Sequence, residues 1–121
     1  MLYSEKPATI KQEIANALSG RFRNSLSVLG LSRDMHIFDL DLSHLSFFYN
    51  KEALRFVNLI RDFYSELDPL EKLIFINDYL ESGRHHAYWW MCYFTMGDYT
   101  IATREMNERV QSALGGNLYA H

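Results

Sequence analysis

Apolar residues recur every three or four positions over most of this chain, the spacing of amphipathic helices rather than of strands. Ile10, Ile14, Leu18, Phe22, Leu26 and Leu29 form the first stripe. Thr9 and Gln12 stand at capping-box spacing at its start, and Gly30 suits its end. Gly20 lies inside the stripe, where glycine costs up to about 1 kcal/mol relative to alanine, so the pattern is equally compatible with two shorter helices. Between residues 31 and 49 the helical period fails. The run HIFDLDL at residues 36–42 alternates like a strand, but a single strand has no pairing partner, and an extended linker is expected there.

Asn50 is a good helix cap, and Leu54, Val57, Ile60 and Tyr64 follow on one face, with Phe56 and Phe63 beside it. A second long helix is expected there. Asp68 and Pro69 open a third: the carboxylate caps free amides, and proline sits where no amide is needed. Leu70, Leu73, Ile74 and Leu80 continue it to Ser82-Gly83. A short fourth helix over residues 86–95, a tight turn at Met96-Gly97-Asp98 and a last helix over residues 98–114 complete the pattern. Tyr99, Ala102, Met106, Val110 and Leu114 line the last helix, Gly115-Gly116 is expected to close it, and residues 115–121 are expected to fray. The expected fold is therefore all-α: one domain of about five helices over residues 1–121, with no internal repeat.

Composition fits that reading and narrows the function. The chain has 121 residues, 48% of them hydrophobic and 22% charged, which suits one packed core. The N-terminal segment has no apolar leader and no run is long enough to span a membrane, while a single cysteine cannot form an intrachain disulfide; a cytoplasmic protein is expected. The formal charge is −3, unevenly distributed. Residues 1–33 hold five bases against two acids, residues 34–67 three bases against six acids, and residues 68–121 four bases against seven acids. Arg21 and Arg23 on the first helix could contact phosphates or simply solvate its outer face.

The last third reads as helix, short helix, glycine turn, helix, the order of a helix-turn-helix. Its final helix would offer Thr100, Thr103, Arg104 and Asn107 opposite the apolar stripe, with Arg84 and Arg109 as flanking phosphate contacts. The same residues also suit an ordinary solvated helix face. Leu67, Asp68, Pro69 and Glu71 lead into this unit, Tyr79-Leu80 closes its first helix and Tyr99 opens its last. On those residues, the stretch 67–114 resembles the sigma-region-4-like helix-turn-helix of phage late-transcription regulators of the ArpU type. The resemblance implies a sequence-specific DNA-binding regulator of transcription that uses the face from Tyr99 to Asn107. The acidic balance of residues 68–121 opposes DNA binding, because phosphate neutralisation supplies most non-specific affinity.

A second reading is a small acidic interaction protein, such as an immunity protein, anti-activator or inhibitor. Residues 87–97, AYWWMCYFTMG, carry no charge, and large rings point in all directions around the expected short helix. Trp89, Trp90, Tyr93 and Phe94 are expected to meet a second copy or another protein, or else to be wrapped by the first two helices. Other chemistry is sparse. His85 and His86 with Glu81 or Cys92 form no recognisable metal motif, and Asp34, His36, Asp39, Asp41 and His44 lack a positioned nucleophile. Cys92 is expected to be a buried small hydrophobe. Neither an enzyme, a metal nor another cofactor is expected.

Overall fold

The computed structural model describes residues 7–43, 45 and 50–118, and all of its regular elements are helical. Helix α1 (Pro7–Val28) occupies the centre, packed against α2 (Lys51–Ser65), the π-helical turn Phe75–Leu80 and α4 (Met96–Leu118). Helix α3 (Pro69–Ile74) continues without a break into a π-helical turn, Phe75–Leu80. Two 3-10 turns, Ile37–Asp39 and Trp89–Cys92, interrupt the connections. No strand occurs among the described residues.

Local sequence explains where most of these helices begin and end. Helix α1 runs unbroken past Gly20, because Ile14, Leu18, Phe22 and Leu26 on both sides of the glycine are buried on one face. It begins two residues ahead of Thr9, so Thr9 lies within the helix and is not its cap. Its C-terminus is a Schellman motif: Leu31 N–H donates to Leu26 C=O at 2.8 Å and Gly30 N–H to Ser27 C=O at 3.0 Å. Gly30 adopts φ of 79°, a region strained for residues with a Cβ. Asn50 caps α2 by accepting from the Ala53 amide. At α3 the capping box is complete, with Asp68 accepting from the Glu71 amide at 2.8 Å and Glu71 from the Asp68 amide at 2.9 Å.

The structure corrects four expectations. The linker at residues 36–42 holds a 3-10 turn, with Ile37 buried in the core. The short helix over residues 86–95 is only the 3-10 turn Trp89–Cys92. Met96-Gly97-Asp98 is the first turn of α4 and not a loop, because the Thr95 hydroxyl accepts from the Asp98 amide and caps the helix two residues earlier. Gly115-Gly116 does not close α4. Leu118 lies four residues after Leu114 and is buried with it; that burial, worth about 1.5–3 kcal/mol, offsets the cost of the two glycines. Residues 119–121 of the expected frayed tail lie outside the described residues.

The π-turn is a feature that the apolar period does not reveal. The Asn77 side-chain amide donates to Leu73 C=O at 2.9 Å, competing for the acceptor that an α-helix reserves for the Asn77 backbone amide. The ladder is widened by one residue, and Glu81 N–H reaches back to Ile76 C=O at 2.8 Å. Phe75, Tyr79 and Leu80 thereby enter the core, with Phe75 against Phe63 and Tyr79. Phe75→Ala is expected to cost about 3–5 kcal/mol, read as a lowered denaturation midpoint.

Candidate functional site

The π-turn delivers two carboxylates to positions where other elements meet. Asp78 accepts from Lys11 Nζ of α1 at 2.9 Å, from Trp89 Nε1 of the aromatic turn at 2.9 Å and from the Tyr99 hydroxyl of α4. Lys11 Nζ also lies 3.2 Å from the Tyr99 oxygen and 5.2 Å from the centroid of its ring. Trp90 stacks on Tyr99 at 4.5 Å, and Trp89 and Phe94 approach the same ring edge-on or tilted. Burial, then the hydrogen bond to Asp78, push the Tyr99 phenol above its ordinary range, so it remains a donor into strongly alkaline solution. The next residue of the π-turn after Asp78, Tyr79, donates to Asn107 Oδ1 at 3.1 Å, and burial likewise raises its phenol.

Glu81, 4% exposed, follows the π-turn and is bonded to His36 from the first linker and to His85 Nε2 at 2.7 Å. Burial alone raises its pKa. The hydrogen bonds from both imidazoles, with the charges of His36 and Arg84, outweigh that and hold the carboxyl below its ordinary value. Among the described residues no group of three or more His, Cys, Asp or Glu side chains is arranged to hold a metal ion.

These anchors divide the residues expected to contact DNA. Asn107 is half-buried and committed to Tyr79. Arg109 is ion-paired to Glu71 at 2.6 Å and lies over Phe63. Thr103 is half-buried and its hydroxyl donates to Thr100 C=O. Thr100, Arg104 and Arg84 are exposed. The Thr100 hydroxyl donates to Met96 C=O at 2.8 Å, which leaves its oxygen to act toward solvent as an acceptor. At about 100° per residue, Thr100 and Arg104 share one flank of α4, while Asp98 and Glu105 share another about 130° away. Glu108, four residues after Arg104 and about 40° from it, is exposed on the same flank, so only two of the three acids of α4 are turned away from Arg104. On α1, Arg21 lies over the Phe56 ring at 4.7 Å. Arg23 is half-buried, with Nε and Nη2 shielded from solvent and without a hydrogen-bond partner. Neither side chain extends freely toward a phosphate.

The aromatic segment is similarly divided. Trp90 is buried, and Trp89 and Phe94 are half-buried against Tyr99, so three of the four rings expected at an interface pack within the chain. Tyr93 points outward, accompanied by Tyr88 and Met91, which the sequence pattern had not singled out. Cys92 is also exposed, contrary to the expectation of a buried hydrophobe, because a single 3-10 turn has an outer side that a buried helix would lack. No family model, curated protein or solved structure matches the chain. No described helix is long and apolar enough to cross a membrane.

Two outcomes follow. Asp78→Ala strands donors from α1, the aromatic turn and α4, and is expected to cost about 2–4 kcal/mol in chemical denaturation followed by tryptophan fluorescence. Because the folded-state pKa of Glu81 is depressed, the stability it contributes is complete above its ordinary value of 4.5 and is lost as pH falls through the folded-state value. Glu81→Gln should lower stability by about 1–2 kcal/mol at pH 7, with the difference from wild type shrinking in acid melts below pH 4.5.

Proposed function

We propose that the chain is a DNA-binding regulator of transcription in which residues 67–114 act as a helix-turn-helix and α4 is the reading helix. The observation that carries this reading is the contrast between the tied and the exposed polar side chains of α4. The helix is held through Tyr99, Asn107 and Arg109, while Thr100 and Arg104 stand exposed in its N-terminal half. A recognition helix needs that combination, because side chains must be held in register to discriminate base edges. The resemblance of residues 67–114 to ArpU-type regulators supports the same assignment.

Within this reading Arg104 contacts a base edge or phosphate, Thr100 accepts from a base amino group, and Arg84 reaches the flanking backbone. Asn107 and Arg109 act as positioning residues. The unit differs from a plain two-helix hairpin, since the helix before α4 is reduced to the turn Trp89–Cys92 and its scaffolding role passes to α3.

The competing reading is the acidic interaction module. It is favoured by the exposed Tyr88, Met91 and Tyr93 and by the acidic flank at Asp98 and Glu105.

Fluorescence anisotropy against a genomic fragment library separates the two. Specific binding should emerge, weakening as salt rises with a slope of about −0.9 per phosphate contacted. Arg104→Ala should lower affinity about tenfold, whereas Asn107→Ala should act mainly by lowering stability. Absence of binding at every salt concentration, together with one stoichiometric protein recovered from the host, would reverse the assignment in favour of the interaction module.

A further inference from the structure

Helices α2 and α4 pack on α1 more extensively than on each other, and a groove of about 460 Å³ opens between them. That volume lies within the range of small-molecule sites. Leu59 and Phe63 of α2 face Ala113 and Leu114 of α4 across it and give it an apolar bed. Arg109 also lines the groove, but its guanidinium is already committed: it pairs with Glu71 at 2.6 Å and lies 6.0 Å from the centroid of the Phe63 ring.

The rim on the α2 side is acidic. Asp62 and Glu66 both line the groove and are exposed, the first in the last turn of α2 and the second at its C-cap. Carboxylates are unfavourable there on two counts, because the C-terminus is the negative end of the helix dipole and like charges four residues apart repel. No basic residue occupies that last turn. Neither carboxylate has an ion-pair partner among the described residues. Arg61, the nearest base in sequence, projects about 100° away from Asp62 and donates to Asn58 at 2.8 Å. The groove thus joins an apolar bed to two negative charges and a helix end that the described residues leave unneutralised.

We infer that the groove between α2 and α4 is a binding site for a small organic cation, a primary ammonium carried on a short aromatic body. The body lies on Leu59, Phe63 and Leu114, and the ammonium meets Asp62 and Glu66 at the negative end of α2. An ammonium has three hydrogens to donate, and the Ser112 hydroxyl on the α4 side of the same groove is a further acceptor. An anion would face two carboxylates with Arg109 already paired, and a neutral ligand would leave both acids unmatched. The occupant joins α2 to the C-terminal half of α4, at a distance from the Asp78 cluster that holds the start of α4. Neither Thr100 nor Arg104 takes part, so the site does not rest on α4 reading DNA.

The test titrates the full chain with phenylethylammonium chloride at low salt and without DNA, followed by calorimetry and by amide chemical shifts. Saturable binding is expected with a Kd of about 1 mM or tighter, with the largest shifts around Phe63 and Ala113. Phenylpropionate has the same shape and the opposite charge, and methylammonium is the head without the body; each should bind at least about tenfold more weakly. The double substitution Asp62→Asn with Glu66→Gln should weaken phenylethylammonium binding by about tenfold or more. The same variant should melt no lower than wild type, because it removes two acids from a helix C-terminus, so loss of binding cannot be ascribed to unfolding. Ala113→Phe, at an exposed position, should fill the groove and abolish binding with both acids in place. Absence of saturable binding would overturn the inference, as would phenylpropionate or methylammonium binding equally well. Binding that survives the double substitution or Ala113→Phe would overturn it too. With DNA absent, none of these outcomes can be confused with failure of the DNA-binding reading.

Discussion

The carboxylate of Asp78 joins three parts of the chain that share no continuous secondary structure. Its side chain is 12% exposed, which would be costly for an unpartnered charge. It is instead surrounded by a cation from α1, an indole from the aromatic turn and a phenol from α4. Charge-assisted hydrogen bonds of this kind are stronger than neutral ones and directional, so they fix orientation as well as proximity. The π-turn makes the arrangement possible. By widening the ladder at Asn77 it sends Tyr79 and Leu80 into the core while Asp78 faces α1 and α4, a division that ordinary helical spacing does not give.

The fold was legible in the sequence wherever one residue type had one physical use. Asn50, Asp68-Pro69 and Gly30 each mark a helix end in a way that no neighbour can supply as well, and all three act as the pattern predicts. Misreadings cluster where local and tertiary terms compete. Glycines 97, 115 and 116 read as breaks on propensity alone. A capping hydroxyl at Thr95 overrides the first, and buried Leu118 overrides the other two. The π-turn leaves no periodic trace, since Leu73, Ile74 and Leu80 fit an ordinary α-helix equally well. Only Asn77, a polar residue within the π-turn, offered a signal, and its meaning depends on where its amide points.

The candidate site was legible as a segment but not as a set of roles. Spacing on an ideal helix places Asn107 and Arg109 with Thr100 and Arg104 as polar residues off the apolar stripe. It cannot show that Tyr79 of the π-turn and Glu71 of α3 will claim the first two. The charge tally also changes meaning in three dimensions. Residues 68–121 are net acidic, yet Arg109 has already neutralised Glu71, and Lys11 from the basic N-terminal third has neutralised Asp78. What matters to a ligand is the charge left on each flank of α4, with Arg104 beside Glu108 on one side and Asp98 and Glu105 on the other.

The aromatic segment follows from a packing constraint. A ten-residue helix ringed by Trp, Tyr and Phe would need cover on every side, more than three neighbouring helices of a small domain can give. A single 3-10 turn resolves this by separating the rings: Trp89, Trp90 and Phe94 converge on Tyr99, while Tyr88 and Met91, three residues apart and therefore aligned in such a turn, face out. The inward set completes the clamp on the start of α4, so the rigidity of the proposed reading helix depends on the same turn that exposes Tyr88 and Met91. Removing the outward side chains should leave that clamp intact, whereas altering the inward ones must loosen α4 and displace the outward ones together. The exposed side chains are thus the outer side of the element that holds α4 in place.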